Sequence, residues 1–416
     1  MLVFYSIALL LVLAVGAPWW LFRMAASGKY REGLRERLGF VPRRLRIGER
    51  VIWLHAVSVG EVLAASRLIE ELGARSGCTV MISTTTRTGQ RLARERFNAE
   101  RVFYFPLDFA FAVRAYLRTL HPRMIVLVET EFWPRILTEC RRSGVPVAVV
   151  NARISDGSWP RYRRLRLLWR RLLNGFAVVL AQSELDAERL KALGAANTRV
   201  GGNLKYDIRA AQKAAVTDAL RAHLPVGVKV VVCGSTLAGE EELLLASLPP
   251  DLVTILAPRH PERFESVAAM LAARETKFVR RSEWMAAPTP LAPGMVFLLD
   301  SIGELASVYS LASVAVVGGG MFVPGGHNPL EPAQFGVPVV MGPHYENFRG
   351  IVDKLRDADA VAIAEPSQLA QTLDGLLADE DAAKTIGARA HAVFEREAGA
   401  TDRAVDALLA VLEKQA

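Results

Sequence analysis

Cysteine is scarce in this sequence: there are three in 416 residues, Cys78, Cys140 and Cys233, each in or near an apolar stretch. Their spacing offers neither a disulfide frame nor a zinc site, and they read as core residues of a chain kept in a reducing compartment. The seven histidines are scattered, with no HxxxH or CxxC pattern, so no metal site is implied. No repeat of about 20 to 50 residues recurs, which excludes a solenoid. Nothing resembles a nucleic-acid recognition module, so nucleic acid is not an expected partner.

Charge is absent from residues 2–22, LVFYSIALLLVLAVGAPWWLF. As a helix this stretch would extend about 31 Å, close to the hydrocarbon thickness of a bilayer. A secretory signal carries its basic residues before the apolar core. Here Arg23, Lys29, Arg31, Arg35 and Arg37 follow it. Residues 1–22 are therefore expected to be an uncleaved membrane anchor with the downstream chain in the cytoplasm. Pro18, Trp19 and Trp20 also suit shallow insertion at one interface.

The remainder has a globular composition, 51% hydrophobic and 23% charged, long enough for two domains. Through residue 208 there are 33 Lys and Arg against 17 Asp and Glu, and after it 18 against 26, so the halves carry +16 and −8. A cationic half beginning with an anchor suggests a surface that meets anionic headgroups or an anionic lipid substrate.

Apolar, β-branched runs at 51–56, 78–83, 124–128, 145–150 and 176–181 alternate with helical patterns, and the rhythm restarts at 228–233, 252–257, 295–300, 314–320 and 337–342. This predicts an α/β chain of two doubly wound parallel-sheet domains. The expected division is 23–208 and 209–416, with the polar, Ala-rich stretch around 205–226 as linker. One helix is expected over 158–173, SWPRYRRLRLLWRRLL, with Ser158 as N-cap and Pro160 at the first helical position. Its apolar stripe is Tyr162, Leu165, Trp169 and Leu172, and its arginines, Arg163 and Arg164 among them, suit contact with a membrane surface or phosphate.

Ligands of open α/β sheets bind at the carboxyl ends of the strands. In HAVSVGEV, Glu61 follows such an end; it either stabilises a helix start, an effect of roughly 0.3 to 1 kcal/mol, or faces a ligand. Arg87 of STTTRTGQR and Glu129 and Glu131 of VETEFWPRIL also follow strands and are candidates for a polar acceptor. In the second half Arg259 follows 252–257, Gly234, Ser235 and Thr236 end 228–233, and Gly318, Gly319 and Gly320 end 314–317. A helix expected to begin near Pro329 carries Asn328 and Glu331, read either as cap and first-turn acid or as contacts to ribose beside a phosphate held by backbone amides. Together these features make a nucleotide pocket the expected site of this half.

At this point the chain resembles the Kdo transferases, membrane-anchored glycosyltransferases that move 3-deoxy-D-manno-octulosonic acid (Kdo) from CMP-Kdo onto a lipid A precursor. The resemblance rests on the ordered blocks KYREGLRERLGF, WLHAVSVGEV, STTTRTG, ETEFWP, NARIS, QSELDAERLKALGA, GNLKYD, GSTLAGEE, PRHPERF and GGHNPLEPAQFGVPVVMGPHYENF. It implies a GT-B fold, two Rossmann-like domains facing a cleft, with the C-terminal helix crossing back to the first. It implies that Glu61 is the general base and that Glu129 and Glu131 lie in the acceptor-side motif. It also implies that Arg259, Asn328 and Glu331 hold CMP, with Glu304 and the Gly318–Gly319 turn near its phosphate. A single-phosphate donor with its own carboxylate needs no divalent metal, and no cofactor is expected. Leu237 stands where the family carries histidine, Gly320 where serine is common, and Asp156, Gly157 and Ser158 where an arginine and serine pair is usual. Competing readings are a UDP-sugar transferase on another lipid-linked acceptor, a sugar-nucleotide epimerase, which has no need of an anchor, and a lipopolysaccharide-binding scaffold, which has no need of a nucleotide pocket.

Overall fold

The computed structural model describes residues 2–27, 32–48, 50–210 and 214–414. The chain forms two compact units, Met1–Ile208 together with Ala398–Ala416, and Arg209–Glu397.

The first unit is built on β1 (Val51–His55), β2 (Thr79–Thr84), β3 (Val102–Tyr104), β4 (Met124–Val128), β5 (Val147–Ala152), β6 (Val178–Ala181) and β7 (Thr198–Val200). All pair in parallel, in the order β3-β2-β1-β4-β5-β6-β7. Alternate side chains feed two cores. Trp53 packs with Met81, Phe103 and Ile125 on one face, and Ile52 and Leu54 with Val80, Ile82 and Val126 on the other. Burial on both faces is why these strands read as continuous apolar runs rather than alternating ones. The chain winds outward from β1 to β3, then returns to lay β4 beside β1, which puts the topological switch point between those two strands.

The second core is closed by the helix Ala400–Glu413, whose Ala404, Leu408 and Leu412 join Ile52 and Leu54. Its start is fixed by Asp207, whose carboxylate accepts from the amides of Gly399 (2.6 Å) and Thr401 (2.5 Å). The pairs Arg67–Asp402 and Arg75–Asp406 lie on the exposed side and contribute little beside the burial.

The second unit repeats the plan with β8 (Val230–Thr236), β9 (Val253–Pro258), β10 (Phe278–Arg280), β11 (Val296–Leu298), β12 (Val314–Val317), β13 (Val339–Met341) and β14 (Ala362–Ile363). The parallel order is β10-β11-β9-β8-β12-β13-β14, with the switch point between β8 and β12. The α/β, doubly wound expectation holds for both units. The strands not foreseen, β3, β7, β10 and β14, are the four sheet edges, two or three residues each.

Several expectations are corrected. The helix over 158–173 is two helices, Trp159–Arg164 and Arg166–Leu173, broken at Leu165. Ser158 precedes the first without a side-chain capping bond, its hydroxyl engaging Ser155 instead, and Pro160 is the second helical residue. Much of the stretch expected to link the domains is the helix Ala215–His223, which buries Val216 and Leu220 in the second unit; residues 211–213 lie outside the described residues. The apolar N-terminal stretch is the helix Leu2–Ser27, yet among the described residues no helix is long and apolar enough to cross a membrane. Lys29 and Arg31 of its basic flank lie outside the described residues.

Candidate active site

Glu61 follows β1 in the first turn of the helix Val59–Ala64. Its carboxylate accepts from the Val57 amide (2.8 Å) and the Ser58 hydroxyl (3.0 Å), while the Ser58 oxygen faces the Glu61 amide at 3.5 Å. Serine and glutamate three apart thus form a reciprocal cap. Burial raises the Glu61 carboxyl to about 7; the Val57 amide opposes that rise, Glu129 adds to it, Ser58 opposes it and Glu131 adds to it. A carboxyl that loses its proton near neutrality is suited to proton abstraction at physiological pH.

The neighbouring strand ends converge on this group. The loop after β2 is bonded to the same residue that caps Glu61: the Thr85 and Thr86 amides donate to the Val57 carbonyl (3.1 and 3.0 Å). Gly89 fits closely beneath, where an added Cβ would lie 3.2 Å from the Ser58 carbonyl carbon. Arg87 begins the helix Arg87–Arg96, exposed and paired with Glu32 at 3.2 Å.

Across the switch point, Glu129 directly follows β4 with φ 60°, its amide donating to the Val150 carbonyl (2.9 Å). Asn151 near the end of β5 has φ 56°. Left-handed backbone at two non-glycine strand ends is strain of the kind that clusters at ligand sites. Thr130 donates to the Arg153 carbonyl, joining the two loops. Glu131 accepts from the Trp133 indole (2.8 Å), and burial raises its carboxyl. Arg163 and Arg164 stand exposed on Trp159–Arg164, with no carboxylate partner among the described residues; Tyr162 of that helix is close enough to feel the charge of Glu131.

One charged residue was not singled out from the sequence. Lys205, in the turn after β7, is lowered by burial while the charges of Glu129 and Glu61 hold it up and Arg153 opposes them. It places a basic side chain near Glu61 and Glu129. The signal lay in GNLKYD, where the Asn203 side chain accepts from the Lys205 amide (3.0 Å) and Asn151 accepts from Leu204 (3.0 Å); a contact across about 50 residues is not visible in the chain order. His55 is a different case. Buried, bonded to Ser83 and stacked on Phe105 at 3.8 Å, it is lowered by burial to about 3 and stays neutral.

In the second unit, Arg259 follows β9 and lies exposed within electrostatic reach of His327 and Glu331. Asn328 accepts from the Leu330 amide (3.2 Å) and donates to the Glu331 carboxylate. Burial raises Glu331, while Asn328 and Arg259 favour its ionised form. The helix expected after Pro329 is one turn, Leu330–Ala333. Glu304 is held by Arg281 (2.6 Å) and Ser301 rather than by the Arg259 group.

The glycine turn after β12 is tied down from within. Gly318 donates to the Gly234 carbonyl (2.9 Å), and the amides of Gly319 (2.8 Å) and Met321 (3.0 Å) donate to the buried carboxylate of Glu240. The anion these amides hold is internal, so Gly318 and Gly319 shape the turn instead of offering free donors. Ser235 stands beside them with φ 56° at the register shift of β8. Among the described residues no group of three or more His, Cys, Asp or Glu side chains is arranged to hold a metal ion.

A family model described as 3-deoxy-D-manno-octulosonic-acid transferase (kdotransferase) matches residues 32–208. A curated 3-deoxy-D-manno-octulosonic acid transferase of Haemophilus influenzae is 31% identical over 402 residues, 93% of each chain. The chain belongs to the Kdo transferases. A second member, from Bordetella pertussis, is 35% identical over 94% of this chain and 92% of its own. Among solved structures, Acinetobacter baumannii MurG (TM-score 0.55, 16% identity, 86% of this chain and 98% of that one) resembles this Kdo transferase in fold. So does the UDP-GlcNAc 2-epimerase of Neisseria meningitidis (TM-score 0.57, 13% identity, 87% and 100%). At such identities the likeness concerns architecture alone, and the chemistry is argued from the side chains.

Proposed function

We propose that this Kdo transferase moves Kdo from CMP-Kdo to a lipid A precursor with inversion at the anomeric carbon, Glu61 acting as general base. The observation that carries the reading is a glutamate at the switch point of the first sheet, raised to about 7 and surrounded by Glu129, Glu131 and Lys205. Glu61 takes the proton of the acceptor hydroxyl as its oxygen bonds to the anomeric carbon. The bond to CMP breaks, and CMP leaves carrying the electron pair on its phosphate oxygen. Arg87, Arg163 and Arg164 supply positive charge for an anionic acceptor, and Glu129 and Glu131 bind its hydroxyls. On the donor side Arg259 faces the CMP phosphate, Asn328 and Glu331 face the nucleoside, and Glu304 supports the neighbouring loop through Arg281.

The protein works at the cytoplasmic face of the inner membrane, with the helix Leu2–Ser27 lying in one leaflet. In support, Phe4, Ile7, Leu10, Leu11, Val12, Val15, Trp19 and Phe22 are exposed along it, an uncovered apolar surface of the kind that marks a membrane contact. The arginine-rich helices of 159–173 add cationic surface.

The test is transfer from enzymatically generated CMP-Kdo to a tetraacylated, bisphosphorylated lipid A precursor, read by mass spectrometry. Product shifted by whole Kdo units is expected. Intact CMP-Kdo, with a UDP-sugar consumed instead, would overturn the donor.

A further inference from the structure

A pocket of about 510 Å³ opens in the first unit, lined by Arg114, Arg118, His121, Arg142, Glu139 and the apolar Leu117, Pro122 and Val145, among others. It lies where the helices Ala110–Leu120 and Pro134–Arg142 run down to the amino ends of β4 and β5. Glu61 and its neighbours stand at the opposite edge of the sheet. Three guanidinium groups face one carboxylate. Glu139 is buried and already committed: it accepts from Arg114 (2.7 and 3.2 Å) and Arg142 (3.0 Å), and Arg135 stands at 3.7 Å. Arg118 is exposed with no carboxylate partner among the described residues. The pocket therefore carries uncompensated positive charge above an apolar floor, the lining an amphiphilic anion requires.

Its position selects the ligand. Arg135, one helical turn from Glu139, donates to the Ser6 hydroxyl at 2.7 Å, and Tyr5 bonds to Asp108, whose carboxylate also accepts from the amides of Arg135 and Ile136 (2.8 Å each). The apolar helix Leu2–Ser27 is thus docked through its few polar side chains at the amino-terminal starts of the same two helices, one turn from the Glu139 of the pocket. Phe111, 60% exposed, lies three and seven residues before Arg114 and Arg118, on the same helix face. We propose that this pocket binds the phosphate of an anionic phospholipid headgroup, with Arg118 and Arg142 on the phosphate and Leu117, Val145 and Phe111 against the glycerol and proximal chain. The site is separate from the acceptor residues and rests on the membrane contact proposed for the N-terminal helix.

The full chain is mixed with phosphatidylcholine vesicles with and without phosphatidylglycerol, and bound protein is measured by flotation. Wild type should gain binding with phosphatidylglycerol, and Arg118→Glu should lose up to roughly 30-fold of that gain, since the reversal changes two charges and each near an anionic surface contributes on the order of 1 kcal/mol. Arg118→Lys should retain most of it. Arg199→Glu changes net charge equally, at an exposed position on the edge strand β7, and should bind as wild type. An equal loss in Arg199→Glu would reduce the effect to net charge and remove the site. Normal binding by Arg118→Glu would also remove it, and failure of wild type to bind either vesicle would overturn both the membrane reading and the pocket. Arg118-dependent binding of soluble glycerol 3-phosphate, with vesicle binding unaffected, would make the pocket a site for a free phosphate ester and overturn the lipid assignment.

Discussion

At the scale of the residue, one carboxylate caps a helix and carries the role proposed for it as general base. Glu61→Gln keeps an oxygen able to accept from Val57 but cannot take a proton, so turnover should fall at least about 10²-fold while CMP binding persists. Near-normal turnover would leave Glu61 a cap and nothing more. Glu61→Ala loses the cap as well, at a further cost of about 0.5 to 2 kcal/mol of stability. The acid limb of kcat/KM should lie near pH 7, reporting the coupled carboxylates rather than one alone. Glu129→Gln removes a negative neighbour and should move that limb to lower pH. Stability runs the other way. The folded value lies above the ordinary 4.5, so ionising Glu61 works against the fold as pH rises from about 4.5 to about 7. Relative to wild type, Glu61→Gln should gain thermal stability between these limits, and an unchanged difference in Tm would contradict the burial argument.

At the scale of the element, the glycine turn after β12 depends on an internal anion. Glu240 satisfies the amides of Leu237, Gly319 and Met321, and each buried donor left unpaired costs about 1 to 3 kcal/mol. Glu240→Ala should therefore destabilise the second unit by several kcal/mol in urea unfolding and weaken CMP binding with it, whereas Glu240→Gln, which keeps an acceptor, should lose less. The sequence pattern placed glycines at this strand end without showing which group their amides meet. GSTLAGEE and VGGGM lie about 80 residues apart, and only the pairing of β8 with β12 brings carboxylate and amides together. The break at Leu165 was similarly hidden: the 3.6-residue period continues through it, while Leu165 adopts φ −102° and ψ 23°.

At the scale of the whole molecule, the last helix is part of the first unit. Leu408 is fully buried among residues of β1, β2 and β4, so Leu408→Ala should cost about 2 to 5 kcal/mol. A fragment ending at residue 208 should fail to fold cooperatively until a peptide spanning 398–416 is added, as judged by far-UV circular dichroism and heat capacity. Replacing Arg163, Arg164 and Arg166 by Ala should weaken binding to anionic vesicles most clearly at low salt. Equal binding at all salt concentrations would confine membrane contact to the N-terminal helix and the pocket beside it.

Strand-length apolar runs, their alternation with helices and the ordered motifs determined the class of both units, the family and most candidate residues, because a strand buried on both faces writes its whole length in apolar side chains. Contacts between distant segments were decided by tertiary structure alone. The neutral-range carboxyl of Glu61 needs Glu129 and burial from elements dozens of residues away, and Lys205 reaches the site only because β7 ends at the same sheet edge. The amides of Gly319 and Met321 turn inward because parallel pairing delivers Glu240 to them. Local pattern records which face of an element is apolar; the partner on that face, and hence its charge state, comes from the fold.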